Sequence, residues 1–145
     1  MECLAFLSMR EQSMRLIVAD DHFGVRERIR DLLAAEHEVL ADFEDCESML
    51  HVMDKLSPDV VLLDISMPAM GGFSLAEQIH QSWPAIKIIF VSQHTEPAYI
   101  DRALDVGASG YVLKRSLVAD LLPAIRAVSA GRTFLSPPLA FRSHN

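Results

Sequence analysis

Basic charge is in short supply: 13 Lys and Arg stand against 20 Asp and Glu in 145 residues, a formal net charge of -7. That balance argues against a nucleic-acid coat or an anionic-membrane binder, both of which need a basic footprint. Cysteine is scarcer. Cys3 and Cys46 have neither the number nor the spacing of a disulfide framework or a metal knuckle, and they read as free thiols in a reducing cytoplasm. No apolar run approaches the roughly 18 residues that span a bilayer. The short stretch Cys3-Leu4-Ala5-Phe6-Leu7, preceded by Glu2, is too brief and wrongly flanked for a secretory signal. Repeats and low-complexity segments are absent. With 50% hydrophobic and 23% charged residues the chain is not disordered, and its length suits one domain with its own core.

What the sequence does contain is alternation. Apolar runs occur at Leu16–Ala19, Val39–Ala41, Val60–Ile65, Ile86–Val91 and Tyr111–Leu113. The first and the last three are continuous, as in strands buried on both faces. Segments of helical spacing lie between and after them: Val25, Ile29, Leu32 and Leu33, with Arg26, Glu27, Arg30 and Asp31 pointing away; Cys46, Met49, Leu50 and Met53; Leu75, Ala76, Ile79 and Trp83; Tyr99, Ile100, Ala103 and Leu104; Leu117, Leu121, Ala124, Ile125 and Val128. Five βα units imply a parallel sheet with helices on both faces. Right-handed crossovers favour a flavodoxin-like (βα)5 doubly wound α/β fold, strand order 2-1-3-4-5. Punctuation agrees: Pro58-Asp59 before the third strand, Gly71-Gly72 before the third helix, Pro97 in the first turn of the fourth and Gly107 after it. Pro123 leaves two starts for the last helix, after Ser116 with the proline inside, or at an Asp120 cap with the proline in the first turn. Residues 1–13 fit no unit, so Met14 is expected to open a domain over 14–132. Residues 133–145, with Pro137-Pro138, read as a tail or the start of a linker.

In such a sheet, ligands bind beyond the carboxyl ends of the strands. Asp20-Asp21, Asp64, Ser92 and Lys114 stand at the ends of strands 1, 3, 4 and 5, which the expected order makes consecutive neighbours. Each has an ordinary explanation alone: Asp21 as a helix cap, Asp64 as a turn carboxylate, Ser92 as a loop hydroxyl, Lys114 as a solvated charge. Together they would converge on one crevice. Three packed carboxylates against one ammonium call for a cation, and an open, oxygen-lined site suits Mg²⁺. The cluster could then accept a phosphoryl group, with Ser92 and Lys114 meeting its oxygens and a carboxylate as nucleophile.

The stretches Leu16-Ile17-Val18-Ala19-Asp20-Asp21-His22, Pro58-Asp59-Val60-Val61-Leu62-Leu63-Asp64-Ile65-Ser66-Met67-Pro68-Ala69-Met70-Gly71-Gly72, Ile88-Ile89-Phe90-Val91-Ser92 and Gly107-Ala108-Ser109-Gly110-Tyr111-Val112-Leu113-Lys114 resemble the receiver domain of two-component response regulators, from about Arg15 to about Gly131. The resemblance implies Asp64 as phosphoacceptor from a histidine kinase. It implies Asp20, Asp21, Asp64 and the backbone carbonyl of Ser66 around Mg²⁺, and Ser92, Lys114 and Tyr111 as the phosphoryl-binding and switching set. Ser66 and His94 match positions that tune autodephosphorylation. The implied output is a change in the face made by helix 4, strand 5 and helix 5, with a possible homodimer. The chain would be a phosphoacceptor that loses its phosphoryl group by itself, rather than an enzyme in the usual sense, and it would be cytoplasmic. Ala127 to Pro137 is similar to the end of receivers joined to LuxR-type helix-turn-helix domains. Eight residues follow Pro137, too few for such a domain, so the chain reads either as the receiver part of a transcriptional regulator or as a stand-alone receiver acting through protein contacts. This chain itself is expected to bind neither nucleic acid nor membrane.

Two departures from the family stand out. Arg115 follows Lys114 where many receivers have a cis proline, and a cis bond there would cost about 3 kcal/mol. Gly24 weakens the start of the first helix. Two rival functions fit less well. A Mg²⁺-dependent phosphatase on a related fold would want a second acid two residues after the nucleophile, where Ser66 stands, and a cap insertion. A binding module that has lost phosphorylation would not keep Asp20, Asp21, Asp64, Ser92 and Lys114 together.

Overall fold

The computed structural model describes residues 13–67 and 70–142. Cys3, Pro68, Ala69 and all but one of residues 1–13 lie outside that range, and with them the expectation for the N-terminal segment. The chain alternates β1 (Arg15–Ala19), α1 (Phe23–Leu33), β2 (Glu38–Phe43), α2 (Cys46–Leu56), β3 (Val60–Leu63), α3 (Gly72–Ser82), β4 (Lys87–Ser92), α4 (Pro97–Asp105), β5 (Gly110–Leu113), a 3-10 turn (Lys114–Ser116) and α5 (Leu117–Ser129). It ends in β6 (Phe134–Leu135) and α6 (Pro137–Arg142). The sheet is parallel, in the order β2-β1-β3-β4-β5-β6. The expected flavodoxin-like order of the first five strands is therefore the observed one.

Continuous apolar runs became strands because both faces of the sheet are covered. Ile17, Val61, Leu63, Ile88, Phe90 and Tyr111 face a core closed by α2, α3 and α4. Leu16, Val18, Val60, Leu62, Ile89, Val91 and Val112 face the core closed by α1 and α5. The helical stripes are buried largely as their spacing predicts, with Ile29, Leu33, Met49, Met53, Leu75, Ile79, Leu121, Ile125 and Val128 essentially inaccessible. Leu104 is the exception and stays exposed.

Local chemistry sets the helix ends. Asp45 accepts the Ser48 amide at the start of α2, and this hydrogen bond holds its carboxyl below the usual range. At the other end, the Arg15 guanidinium donates to the carbonyls of Leu56 and Ser57, which the last turn leaves without partners. Pro97 opens α4. Pro123 lies inside α5, so of the two starts left open the helix takes the earlier, after Ser116. Ala119 and Pro123 are both exposed, so the hydrogen bond the proline removes is lost on the water side of the helix. Glycine gives α3 its entrance: Gly71 has φ +80, and a Cβ on Gly72 would fall 2.2 Å from the Asp64 carbonyl oxygen.

Two readings of the sequence change. Arg26, expected to point into water, turns inward, with its side chain 11% exposed. It bonds to Asp42 at 3.0 Å and donates to the Asp20 carbonyl at 2.7 Å. Arg30 joins the same carboxylate. Both arginines thereby serve a β2 acid that the α1 pattern could not announce. The segment after Gly131, read as a tail or linker, pairs Phe134 and Leu135 with β5. Ser136 is fully buried, its hydroxyl accepting the Leu113 amide at 3.0 Å, and Leu139 enters the core.

Candidate functional site

Register brings the site together. Ala19 lies beside Leu63, so Asp20 and Asp64 leave their strands side by side. Ser92 pairs with Leu113, one residue before Lys114. Backbone bonds fix both exits: the Asp20 amide donates to Phe43 and the Asp64 amide to Ala19.

Asp20 and Asp64 are 1% and 3% exposed. Asp21 faces solvent at the rim and does not cap α1, whose cap position is His22. Lys114 reaches in from the end of β5. Its ammonium lies 3.1 Å from Asp20 Oδ2 and 3.4 Å from Asp64 Oδ2. The approach to Asp20 is off the hydrogen-bonding direction, so that buried oxygen has no donor. Asp64 Oδ1 accepts the Ser66 amide at 3.2 Å. Burial first, and then the neighbouring Asp20 charge, push the Asp64 carboxyl above its usual range; Lys114 and the Ser66 amide oppose this.

One face of the site is built from polar contacts between β4, β5 and their loops. The fully buried Ser92 hydroxyl accepts the His94 amide at 3.0 Å. The Tyr111 hydroxyl donates to the His94 carbonyl at 2.8 Å, with the whole side chain inside the protein. Burial pushes the phenol up to about 12, so it stays protonated as a donor. His94 Nε2 lies 3.3 Å from the Ser66 hydroxyl. All the residues singled out from the sequence thus lie in one connected neighbourhood. The Lys114–Arg115 peptide is trans, since the described residues contain no cis bond.

His22 is the group that sequence reasoning passed over. Its Nδ1 lies 3.2 Å from Asp20 Oδ1 and 3.0 Å from Asp21 Oδ1. Ligand atoms of Asp20, Asp21, His22 and Asp64 all fall within 4.8 Å of one another. The signal was its place directly after the acid pair. Arg26 was also missed, and it holds the Asp20 backbone from below. An open cleft of about 540 Å³ adjoins the cluster, lined by Asp21, His22, Phe23, Arg28, Lys114 and Leu117 among others.

The donor set suits a hard divalent cation: three carboxylates, one of them with a buried oxygen that no hydrogen bond satisfies. A carboxylate with an ammonium and a hydroxyl beside it can also act as an oxygen nucleophile toward a phosphoryl group whose oxygens those groups would meet.

Residues 16–126 match the family described as the response regulator receiver domain. The chain is 34% identical over 139 residues to the transcriptional regulatory protein DegU of Brevibacillus brevis, covering 94% of this chain and 58% of that protein. It therefore spans about three fifths of the length of this curated relative. Among solved structures, a LuxR-family two-component response regulator from Aurantimonas superposes with a TM-score of 0.84 at 35% identity, covering 88% of this chain and 93% of that one. The isolated REC domain of RcsB from Salmonella enterica serovar Typhimurium, solved with the phosphomimetic BeF3-, gives 0.82 at 31% identity, covering 88% and 96%. No helix among the described residues is long and apolar enough to cross a membrane.

Proposed function

The chain belongs to the response regulator receiver domain family of two-component systems, and from that premise we propose that Asp64 is its phosphoacceptor. The observation that carries this reading is the buried, charge-crowded Asp64 carboxylate with Lys114 at 3.4 Å. In the proposed reaction a carboxyl oxygen of Asp64 bonds to the phosphorus of a phosphohistidine on a sensor kinase. The bond from phosphorus to the imidazole nitrogen breaks, and the electron pair leaves with the imidazole, which takes a proton. Asp20, Asp21, Asp64 and the Ser66 carbonyl would hold Mg²⁺. Bound there, the cation would neutralise negative charge that three adjacent carboxylates cannot carry alone. Lys114 would pair with one phosphoryl oxygen and Ser92 would donate to another. The Ser92 hydroxyl can donate there while it still accepts the His94 amide, so the loop would be drawn along with it, and Tyr111, bonded to the carbonyl of that same residue, would follow. The result would be a population shift of the α4–β5–α5 face.

The chain is accordingly read as a signalling phosphoacceptor, not a turnover enzyme, with Ser66 and His94 setting how fast the phosphoryl group is lost. We assign residues 14–139 to the receiver, since β6, Ser136 and Leu139 complete its sheet and core, and place 1–13 outside it. Because the chain covers about three fifths of DegU, we read it as the receiver part of a LuxR-type transcriptional regulator, cytoplasmic, able to form a homodimer, and leaving DNA contact to a separate domain. The second reading, a stand-alone receiver acting through protein contacts, would share the same site. Phosphotransfer from a labelled histidine kinase tests the proposal. Label should move to the wild type in Mg²⁺, stay on the kinase with chelator, and stay on it with Asp64→Asn. Equal labelling of the Asp64→Asn protein would refute it.

A further inference from the structure

His94 is held from every side. Its amide and carbonyl bond to Ser92 and Tyr111. Its Nε2 reaches the Ser66 hydroxyl at 3.3 Å, and its Nδ1 lies 3.7 Å from Glu96. The face of its ring lies flat on Tyr99, with centroids 4.1 Å apart and an interplanar angle of 2°. Tyr99 sits in the first turn of α4 and is itself backed by Phe73 at 6.2 Å. Phe73 meets the fully buried Phe90 edge to face at 5.4 Å. A ladder of rings therefore runs from the core to the imidazole. The imidazole in turn joins the loop after β4 to the loop after β3, where the Ser66 amide bonds to Asp64.

We propose that Tyr99 is a positioning residue for the phosphorylated state. Its ring holds the His94 imidazole across the gap between the two loops, where imidazole and Ser66 together screen the Asp64 acyl phosphate from water. The proposal rests on Asp64 being the phosphoacceptor. The step it slows is hydrolysis. A water oxygen bonds to phosphorus, the bond from phosphorus to the Asp64 oxygen breaks, and Asp64 returns as a carboxylate. The water hydrogens leave on inorganic phosphate or to solvent. Without Tyr99 the imidazole has its Ser66 and Glu96 contacts but no surface to lie on, so its covering position is populated less. A role for Tyr99 in α4 packing alone would act on the lifetime independently of His94, so its effect would multiply with that of His94→Ala.

The test is the lifetime of the phosphoryl group. Protein loaded with acetyl phosphate and Mg²⁺ is freed of donor, and intact mass is followed with time. Tyr99→Leu and His94→Ala should lose the group faster, by about two- to tenfold, the population shift that an aromatic pair of this geometry supports. The double variant should be no faster than His94→Ala, and Tyr99→Phe should keep the wild-type lifetime. An unchanged lifetime in Tyr99→Leu, or effects that multiply in the double variant, would overturn the proposal. A second readout does not need the leucine variant to fold. The His94 ring protons should be shifted upfield in the NMR spectra of wild type and Tyr99→Phe, and their absence from the shielded region would also overturn it. If the wild type takes up no phosphoryl group, the Asp64 reading fails and takes this one with it. A phosphorylated wild type with an unaltered Tyr99→Leu lifetime removes this proposal alone.

Discussion

The Lys114 ammonium approaches Asp20 at 3.1 Å, nearer than its 3.4 Å distance from Asp64. One cation thus serves two buried carboxylates, and Asp21 adds a third charge at the rim. Removing the ammonium leaves that repulsion unopposed. Lys114→Ala should therefore lower the stability of metal-free protein by about 1–3 kcal/mol, below the range for a fully buried pair because the lysine is partly hydrated. Added Mg²⁺ should raise the melting temperature of the variant more than that of the wild type. Thermal unfolding with chelator and with Mg²⁺ measures both.

Asp64 gives a pH dependence of defined sign. Its carboxyl is raised in the folded protein by burial and by Asp20, so the native state binds a proton more readily than the unfolded chain does. Its contribution is fully present below the unfolded carboxyl range and is lost as pH rises through the raised folded value. At neutral pH the ionised group is thus a burden on the metal-free fold. Asp64→Asn should melt higher than wild type in chelator, and the gap should close on acidification toward the carboxylate range. A cation that binds the carboxylate must displace that proton, so Mg²⁺ affinity should fall over the same range, as titration calorimetry at two pH values would record.

Two glycines should respond in opposite directions to the same substitution. A Cβ on Gly72 would stand 2.2 Å from the Asp64 carbonyl oxygen and 2.7 Å from the Ile65 Cα, both backbone atoms that cannot step aside. Gly72→Ala should cost about 1–3 kcal/mol or more, as overpacking against fixed atoms does, and should disturb the Asp64 loop. Gly24, in the first turn of α1, has nothing within 4 Å of its would-be Cβ. Gly24→Ala should stabilise by about 0.5–1 kcal/mol. Urea unfolding of the two variants beside wild type checks the contrast.

His37 should make the fold sensitive to mild acid. Its Nδ1 accepts the Met14 amide at 3.0 Å, which requires a neutral ring. Burial is the largest cause lowering its pKa, with Arg126 adding to it and Glu36 opposing. The unfolded chain therefore takes up the proton first. Stability should be level above the ordinary value of 6.5 and fall as pH drops below it. His37→Asn keeps an acceptor without the titration and should flatten that part of the curve, which denaturant midpoints across pH 5 to 7 would resolve.

Much of the fold was legible because burial on both faces writes itself into sequence as unbroken apolar runs, and one-sided burial as stripes. The site was legible for the same reason: once the strand order is fixed, Asp20, Asp64, Ser92 and Lys114 follow from where the runs stop. What escaped depends on partners distant in sequence. Arg26 turns inward for Asp42, 16 residues on. β6 has two residues, too few for any periodicity, and exists because β5 offers it an edge. Leu104 belongs to the α4 stripe yet stays exposed, while Ile100 and Ala103 are the residues of that helix that are buried. Gly72 reads as a loop glycine in sequence, while its necessity comes from the Asp64 carbonyl beside it. The stack of His94 on Tyr99 joins a loop to a helix at a spacing that no helical or strand pattern encodes.

The most direct measurement is intact mass after incubation with acetyl phosphate, wild type beside Asp64→Asn, each with Mg²⁺ and with chelator. One added phosphoryl group is expected on the wild type in Mg²⁺ and none in the other three samples. A wild type that stays unmodified under all conditions, or an Asp64→Asn protein modified to the same extent, would contradict the Asp64 reading.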